Sequence, residues 1–197
     1  PLLIYEKNLY VGDQQKLHRI DPDLNVSNGI LTLNYWEAIS ALGIDQGSGK
    51  MLIATSYGSN WNGDKNTATR IHVYDGFSNK AQREVPVSGL VTAFKTVGNT
   101  TYVFYGNKLG YWTGSGIEYI RTLNFDLGVS VLPVTYLIYP HRTCVVDNTL
   151  YYVDNLPVST GYNRQIVAYG ETINGVMAFY PVLYPPATAA PTAYITC

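Results

Sequence analysis

Residues 101–113 read Thr-Tyr-Val-Phe-Tyr-Gly-Asn-Lys-Leu-Gly-Tyr-Trp-Thr. Thr101 to Tyr105 are β-branched or aromatic residues, which suit a pleated, packed strand. Gly106-Asn107 then supplies a turn, and Lys108 opens a second apolar run. This strand, turn and basic-initiated strand form a hairpin, which is marginal in water until further strands or a packed face support it.

The same pair occurs four times. Leu9-Tyr10-Val11-Gly12-Asp13, Met51-Leu52-Ile53-Ala54-Thr55 and Leu150-Tyr151-Tyr152-Val153-Asp154 match the strand at Thr101, with starts 42, 50 and 49 residues apart. The partners are Lys16-Leu17-His18-Arg19-Ile20-Asp21, Arg70-Ile71-His72-Val73-Tyr74-Asp75 and Arg164-Gln165-Ile166-Val167-Ala168-Tyr169. A lead strand precedes each pair and a closing strand follows it. The leads are Leu2–Tyr5, Ala38–Asp45, Leu90–Val97 and a strand within Val134–Val146. The closes are Ile30–Asn34, Ala81–Val87, Ile117–Leu123 and Gly175–Tyr180. A period of about 40–50 residues is that of propeller blades. The expected units are 1–35, 36–87, 88–131 and 132–184. Residues 185–197 follow as a Pro/Ala/Thr-rich linker, and Thr192–Cys197 reads as the start of a further strand. Asn34–Leu42 is the best candidate for a helical turn, although strand signals flank it.

The fold expected is therefore all-β: a β-propeller of four-stranded antiparallel blades, with a β-sandwich as the alternative. Stacked blades bury both faces of each sheet, which one meander cannot do alone. Four blades either close a small ring or form part of a larger one. A first residue that is Pro rather than Met, and a strand-like tail, favour an excised part of a larger chain.

Composition sets the outer limits. The 197 residues are 46% hydrophobic and only 14% charged, with a net charge of −1. The chain can bury a core, while nucleic acid and anionic membranes are poor electrostatic partners. Apolar runs fall short of the ~20 residues a membrane helix needs, so no membrane insertion is expected. Eighteen tyrosines and eighteen glycines fit strands and turns. Cys144 and Cys197 are too few for a disulfide scaffold, and either remain thiols or pair with each other.

The apolar-aromatic strand, the basic-initiated strand of the Arg-Ile-His-Val-Tyr-Asp-Gly type and the Val-Pro-Val close (Val85–Val87) resemble blades of propeller proteins of phage tails and other virion-associated chains. The resemblance spans roughly residues 2–184. It implies a structural or adhesive role on a virion or another extracellular surface. The Trp-Asp ending of WD repeats, the Gly-Gly pairs of kelch repeats and the Asp box of sialidases are missing from this sequence.

In a meander, the loops between second and third strands share one end of the sheets with the links between units. The second unit carries Tyr57, Asn60, Trp61, Asn62 and Asp64 there, and the fourth carries Tyr162 in the loop 155–163. Aromatic rings among amides suit a sugar or a protein surface, so these residues are the candidate ligand site, with Asn124–Gly128 on the same side. His18 and His72 occupy equivalent positions and read as structural hydrogen-bonding groups. Asp21–Asn25 begins like a calcium loop but has Val26 and Thr32 where that loop needs Gly and Glu. Gly43–Met51 lacks the first Gly and the Ser/Thr of a phosphate loop. No catalytic residue, metal ligand or cofactor is assigned. The function expected is a non-enzymatic structural or binding propeller that meets a protein or glycan and assembles with the rest of a larger chain or complex. A carbohydrate-active enzyme with its active site at the axis is the alternative.

Overall fold

A computed structural model describes residues 1–33, 37–57, 68–75, 81–106, 108–122, 143–158, 161–171 and 177–183. Their regular structure is entirely β, in four antiparallel sheets of four strands. Sheet 1 holds β1 (Leu2–Tyr5), β2 (Asn8–Asp13), β3 (Lys16–Ile20) and β4 (Val26–Thr32). Sheet 2 holds β5 (Glu37–Asp45), β6 (Lys50–Tyr57), β7 (Ala68–Tyr74) and β8 (Ala81–Val87). Sheet 3 holds β9 (Val91–Val97), β10 (Thr100–Tyr105), β11 (Lys108–Trp112) and β12 (Ile117–Thr122). Sheet 4 holds β13 (Thr143–Val146), β14 (Thr149–Val158), β15 (Gly161–Glu171) and β16 (Met177–Leu183). Each sheet is a meander of consecutive strands, and none of these strands crosses to another sheet.

Tight turns connect the first two strands of each sheet. Glu6 and Lys7 have φ of 46° and 63°, and Asp147 and Asn148 have 46° and 58°. Both pairs lie between directly paired residues, Tyr5 with Asn8 and Val146 with Thr149. Positive φ at both central positions matches the twist of the flanking strands. Asp147-Asn148 suits that turn, whereas Lys7 adopts it without the freedom of Gly.

Packing between sheets follows one rule. Side chains alternate along a strand, so each sheet has two faces. Leu42, Met51, Ile53 and Tyr74 of sheet 2 pack on Tyr10, Leu17 and Leu31 of sheet 1. Leu52, Ala54, Ile71 and Val73 look the other way, onto Val91, Phe94, Val103 and Trp112 of sheet 3. Tyr102, Phe104 and Leu109 of sheet 3 meet Leu150 and Tyr152 of sheet 4. At that joint the rings of Phe104 and Tyr152 lie edge to face, with centroids 5.7 Å apart. In sheets 2, 3 and 4 the residue that opens the repeat, and its alternate neighbours, face the preceding sheet; in sheets 1, 2 and 3 the next residue in line faces the following one. First strands carry the series, with β5 against β1 and β9, and β9 against β13. The series is not closed. On sheet 1 the face turned away from sheet 2 stays open, with Leu2 67% and Ile4 76% exposed.

Two further features shape the sheets. A Cβ on Gly43 would occupy the space of the Phe94 side chain, so this glycine lets β5 and β9 approach. The ladder between third and fourth strands is interrupted by a register shift in all four sheets, at Leu17/Arg19, Val73/Tyr74, Leu109/Gly110 and Ile166/Val167.

Several boundaries differ from those read in the sequence. The closing strand of sheet 1 begins at Val26, ahead of Ile30. From Glu37 onward the candidate helical turn is strand β5. The stretch 155–163, expected as a loop, is largely hairpin: β14 runs to Val158 and β15 starts at Gly161. Of the lead expected within 134–146, strand β13 covers Thr143–Val146. Cys144 is disulfide-bonded, and the chain's one other cysteine is Cys197. The linker 185–197 and the link 124–128 lie outside the described residues.

These features give opposite expectations for two substitutions followed by urea denaturation. Gly43→Ala should cost about 2 kcal/mol, because the Phe94 ring has to move within a packed joint. Lys7→Gly should add about 1 kcal/mol by relieving a left-handed residue in an exposed turn.

Candidate functional site

Of the predicted ligand residues, Tyr57 and Tyr162 lie within the described strands. Tyr57 is the last residue of β6, paired with Glu37 of β5 and Ala68 of β7. Asn60, Trp61, Asn62 and Asp64 belong to the connection 58–67, outside the described residues. Tyr162 lies within β15, paired with Pro157, and so is a strand residue rather than a loop residue. Tyr57 and Tyr162 nevertheless share a position type, next to the link between second and third strands.

Near the ends of β6 and β7, at Tyr57 and Ala68, lies a polar cluster that the sequence does not reveal. Glu37 opens β5, Thr55 is on β6, Arg70 and His72 are on β7, and Glu84 is on β8. Pairing of Thr55 with Arg70 and of His72 with Glu84 puts these side chains on one face, the face toward sheet 1. Glu37 and His72 are only 2% and 3% exposed. A buried carboxylate must be paired or it neutralises. Here Arg70 Nε donates to Glu37 Oε1 at 3.1 Å, and Arg70 Nη1 donates to Glu84 Oε2 at 2.7 Å. The Thr55 hydroxyl donates to Glu37 Oε1 at 3.3 Å and lies 3.2 Å from His72 Nε2. His72 Nδ1 stands 3.5 Å from Glu84 Oε1.

The cluster ties four strands together at the base of the connection. Burial lowers the pKa of His72, and Arg70 acts in the same direction; Glu37 and Glu84 oppose both. A basic residue, an aliphatic one and His recur at Lys16-Leu17-His18 and Arg70-Ile71-His72, a pattern legible in the sequence. Its partners were not legible, because Glu37 and Glu84 are far apart in sequence and only the strand register brings them together.

At the opposite end, a cleft of about 360 Å³ opens between the hairpins of sheets 2 and 3, lined among others by Asp45, Ser48, Asn99, Thr101 and Thr113. Its floor is well bonded. Asp45 accepts from Ser48 Oγ at 2.8 Å and from Gly47 N at 3.0 Å. Burial raises the pKa of Asp45, but hydrogen bonds from Ser48, Trp112 and the Gly47 and Ser48 amides outweigh it and hold the group below its usual value. Thr101 Oγ1 donates to the Ile44 carbonyl at 2.6 Å, joining the two sheets. The four residues 46–49 thus form a hairpin connection, as expected from the sequence. Asp21 likewise closes its own turn: its carboxylate accepts from the backbone amides of Asp23 and Asn25 at 3.0 and 2.8 Å. Among the described residues no group of three or more metal-ligating side chains occurs.

No protein-family model matches this chain, and a search of curated proteins found no match to its sequence.

Two measurements test the polar cluster. Glu37→Gln should destabilise the fold by about 2 kcal/mol in urea, since it removes the buried one of the two carboxylates paired with Arg70. The second concerns pH. A histidine whose folded pKa is depressed binds fewer protons in the folded state, so stability falls as pH drops below about 6.5, the value taken for the unfolded chain. The urea midpoint should therefore be lower at pH 5.5 than at pH 7.5, and His72→Gln should flatten that drop.

Proposed function

We propose that this chain is a propeller-type module with a structural or adhesive role on a virion or another extracellular surface, which recognises a glycan or protein through the end carrying the 58–67 connection. The observation that carries this reading is the series of four like sheets joined face to face with unlike faces meeting. Radial stacking of blades is the architecture in which such a series buries both faces of each sheet. The resemblance of the repeat to virion-associated propellers supports the setting. The anchored base of the connection supports the binding end, since Glu37, Thr55, Arg70, His72 and Glu84 hold its two stems rigidly. Rigid supports sharpen recognition by the loops they carry.

The enzyme alternative would require an acid and a second carboxylate able to act on a glycosidic bond. The carboxylates brought together here, Glu37 and Glu84, each contact Arg70. That arrangement suits holding strands better than transferring protons.

The test is binding to an immobilised glycan array by the wild-type chain and by Trp61→Ala. Binding to a defined set of glycans, weakened at least tenfold by the substitution, is the expected result. Equal binding by both proteins would move the site away from Trp61, and cleavage of the arrayed sugars would replace the binding role with the enzymatic one.

A further inference from the structure

One residue in the outer ladder of sheet 1 stands opposite three. Leu17 pairs with Leu31 and Arg19 pairs with Ser27, so His18 on β3 lies across from residues 28–30 of β4. That stretch opens with Asn28-Gly29. The extra length is taken up at Gly29, whose φ of 61° is the left-handed conformation that glycine adopts without a steric penalty. The bulge turns the Gly29 amide toward a side chain: its N–H donates to His18 Nδ1 at 3.3 Å. The same ring nitrogen lies 3.1 Å from Asn28 Oδ1. In sheet 2 the equivalent His72 pairs with Glu84, so the histidine is repeated but its partner is not. Asn28 is exposed and His18 is half-buried. Space around the amide is open: a Cβ on Gly29 would have Thr32 Oγ1, 3.6 Å away, as its nearest neighbour among the described residues.

An asparagine followed by glycine is suited to ring closure, because the glycine nitrogen reaches the side-chain amide carbon and no side chain of its own hinders the attack. The reaction needs a base for the N–H proton and a donor for the oxygen that becomes negative. We propose that His18 supplies both, and makes Asn28-Gly29 a self-processing site that loses ammonia and ends as aspartate or isoaspartate. A backbone N–H can only donate, so His18 Nδ1 presents its lone pair to Gly29. Nδ1 takes that proton as the Gly29 nitrogen attacks Asn28 Cγ. The N–Cγ bond forms, and the carbonyl π pair moves onto Oδ1. The charged ring then donates from Nδ1 to Oδ1. In the resting chain this contact sets two acceptors against each other, and it becomes a hydrogen bond once the proton has moved. It therefore favours the transition state over the ground state. The carbonyl reforms as the Cγ–Nδ2 bond breaks, and Nδ2 leaves with that electron pair and the proton held by His18, as ammonia. Water opens the resulting cyclic imide at either carbonyl, and the exposed position of Asn28 admits it. Nothing is oxidised or reduced, and His18 returns to its starting state.

Peptide mapping by mass spectrometry, following Asn28 in the full chain folded at neutral pH and in the same chain unfolded in urea, tests this. A positioned acid–base group accelerates a reaction by roughly 10²–10⁴. Asn28 should therefore convert at least about tenfold faster in the folded chain than in the unfolded one, where His18 is no longer held against it. His18→Gln keeps a polar side chain but removes the base. It should slow the folded chain by about tenfold or more and leave the unfolded rate unchanged. Hydroxylamine, which cleaves the imide, should cut the folded wild-type chain between Asn28 and Gly29 and spare the folded variant. The β circular-dichroism signal shows that the variant is folded, and His18→Thr, a residue suited to strands, is the second variant should the glutamine disturb β3. A folded wild-type chain that converts no faster than the unfolded one overturns the inference. So does a folded variant that converts as fast as the wild type, because the Asn-Gly sequence alone would then set the rate.

Discussion

The fold depends on apolar side chains leaving a strand in both directions. In β6 the run Met51-Leu52-Ile53-Ala54 is buried throughout, because odd positions press on sheet 1 and even positions on sheet 3. A meander with one apolar face would pair off into two layers and stop. One with two apolar faces has to continue the stack. Burying a large aliphatic or aromatic side chain is worth roughly 1.5–3 kcal/mol, and each joint collects several of them. Sheet 2, with a neighbour on both sides, shows what this achieves: β5 has seven of its nine residues buried. In β1 no residue is fully buried.

The polar cluster of sheet 2 adds something the apolar joints cannot. Hydrophobic contact is non-directional and tolerates small slips of one sheet on the next. The Arg70 contacts to Glu37 and Glu84 span from the first strand of the sheet to the last, and hydrogen bonds of this charged kind have strict geometry. They fix the register of the whole sheet at the end where its long connection emerges. At the other end Asp45 does the same for a short connection through Ser48 and Gly47. Each end of sheet 2 is thus set by a buried carboxylate, one matched by a cation and one by neutral donors.

Most of the strand layout was legible in the sequence, and the places where it was not have physical reasons. β1 and β8 coincide with the expected Leu2–Tyr5 and Ala81–Val87, because alternation and flanking turn residues agree there. The closing strand expected from Ile30 starts at Val26, and β4 passes Gly29, whose φ is +61°, by means of a register shift. Pro157 and the polar residues around it suggested a loop, but in β14 the proline occupies the penultimate rung of its hairpin, next to the closing pair Val158 and Gly161. The site was less legible than the fold. Glu37 fell within the candidate helical turn 34–42, and only the ladder places it opposite Tyr57 and within reach of Arg70. The bonded state of Cys144 depends on spatial proximity, which residue spacing leaves open.

The register shifts in the outer ladders bear on how the molecule avoids polymerising. An outermost strand exposes a row of backbone donors and acceptors that can template the strand of a neighbour. A bulge twists that row out of plane and breaks its spacing, and in β8 Pro86 also removes one donor. All four sheets carry this interruption between their third and fourth strands, so the fourth-strand edge is a poor seed for fibrils. Cross-β growth is thereby disfavoured at the fourth-strand edge of every sheet.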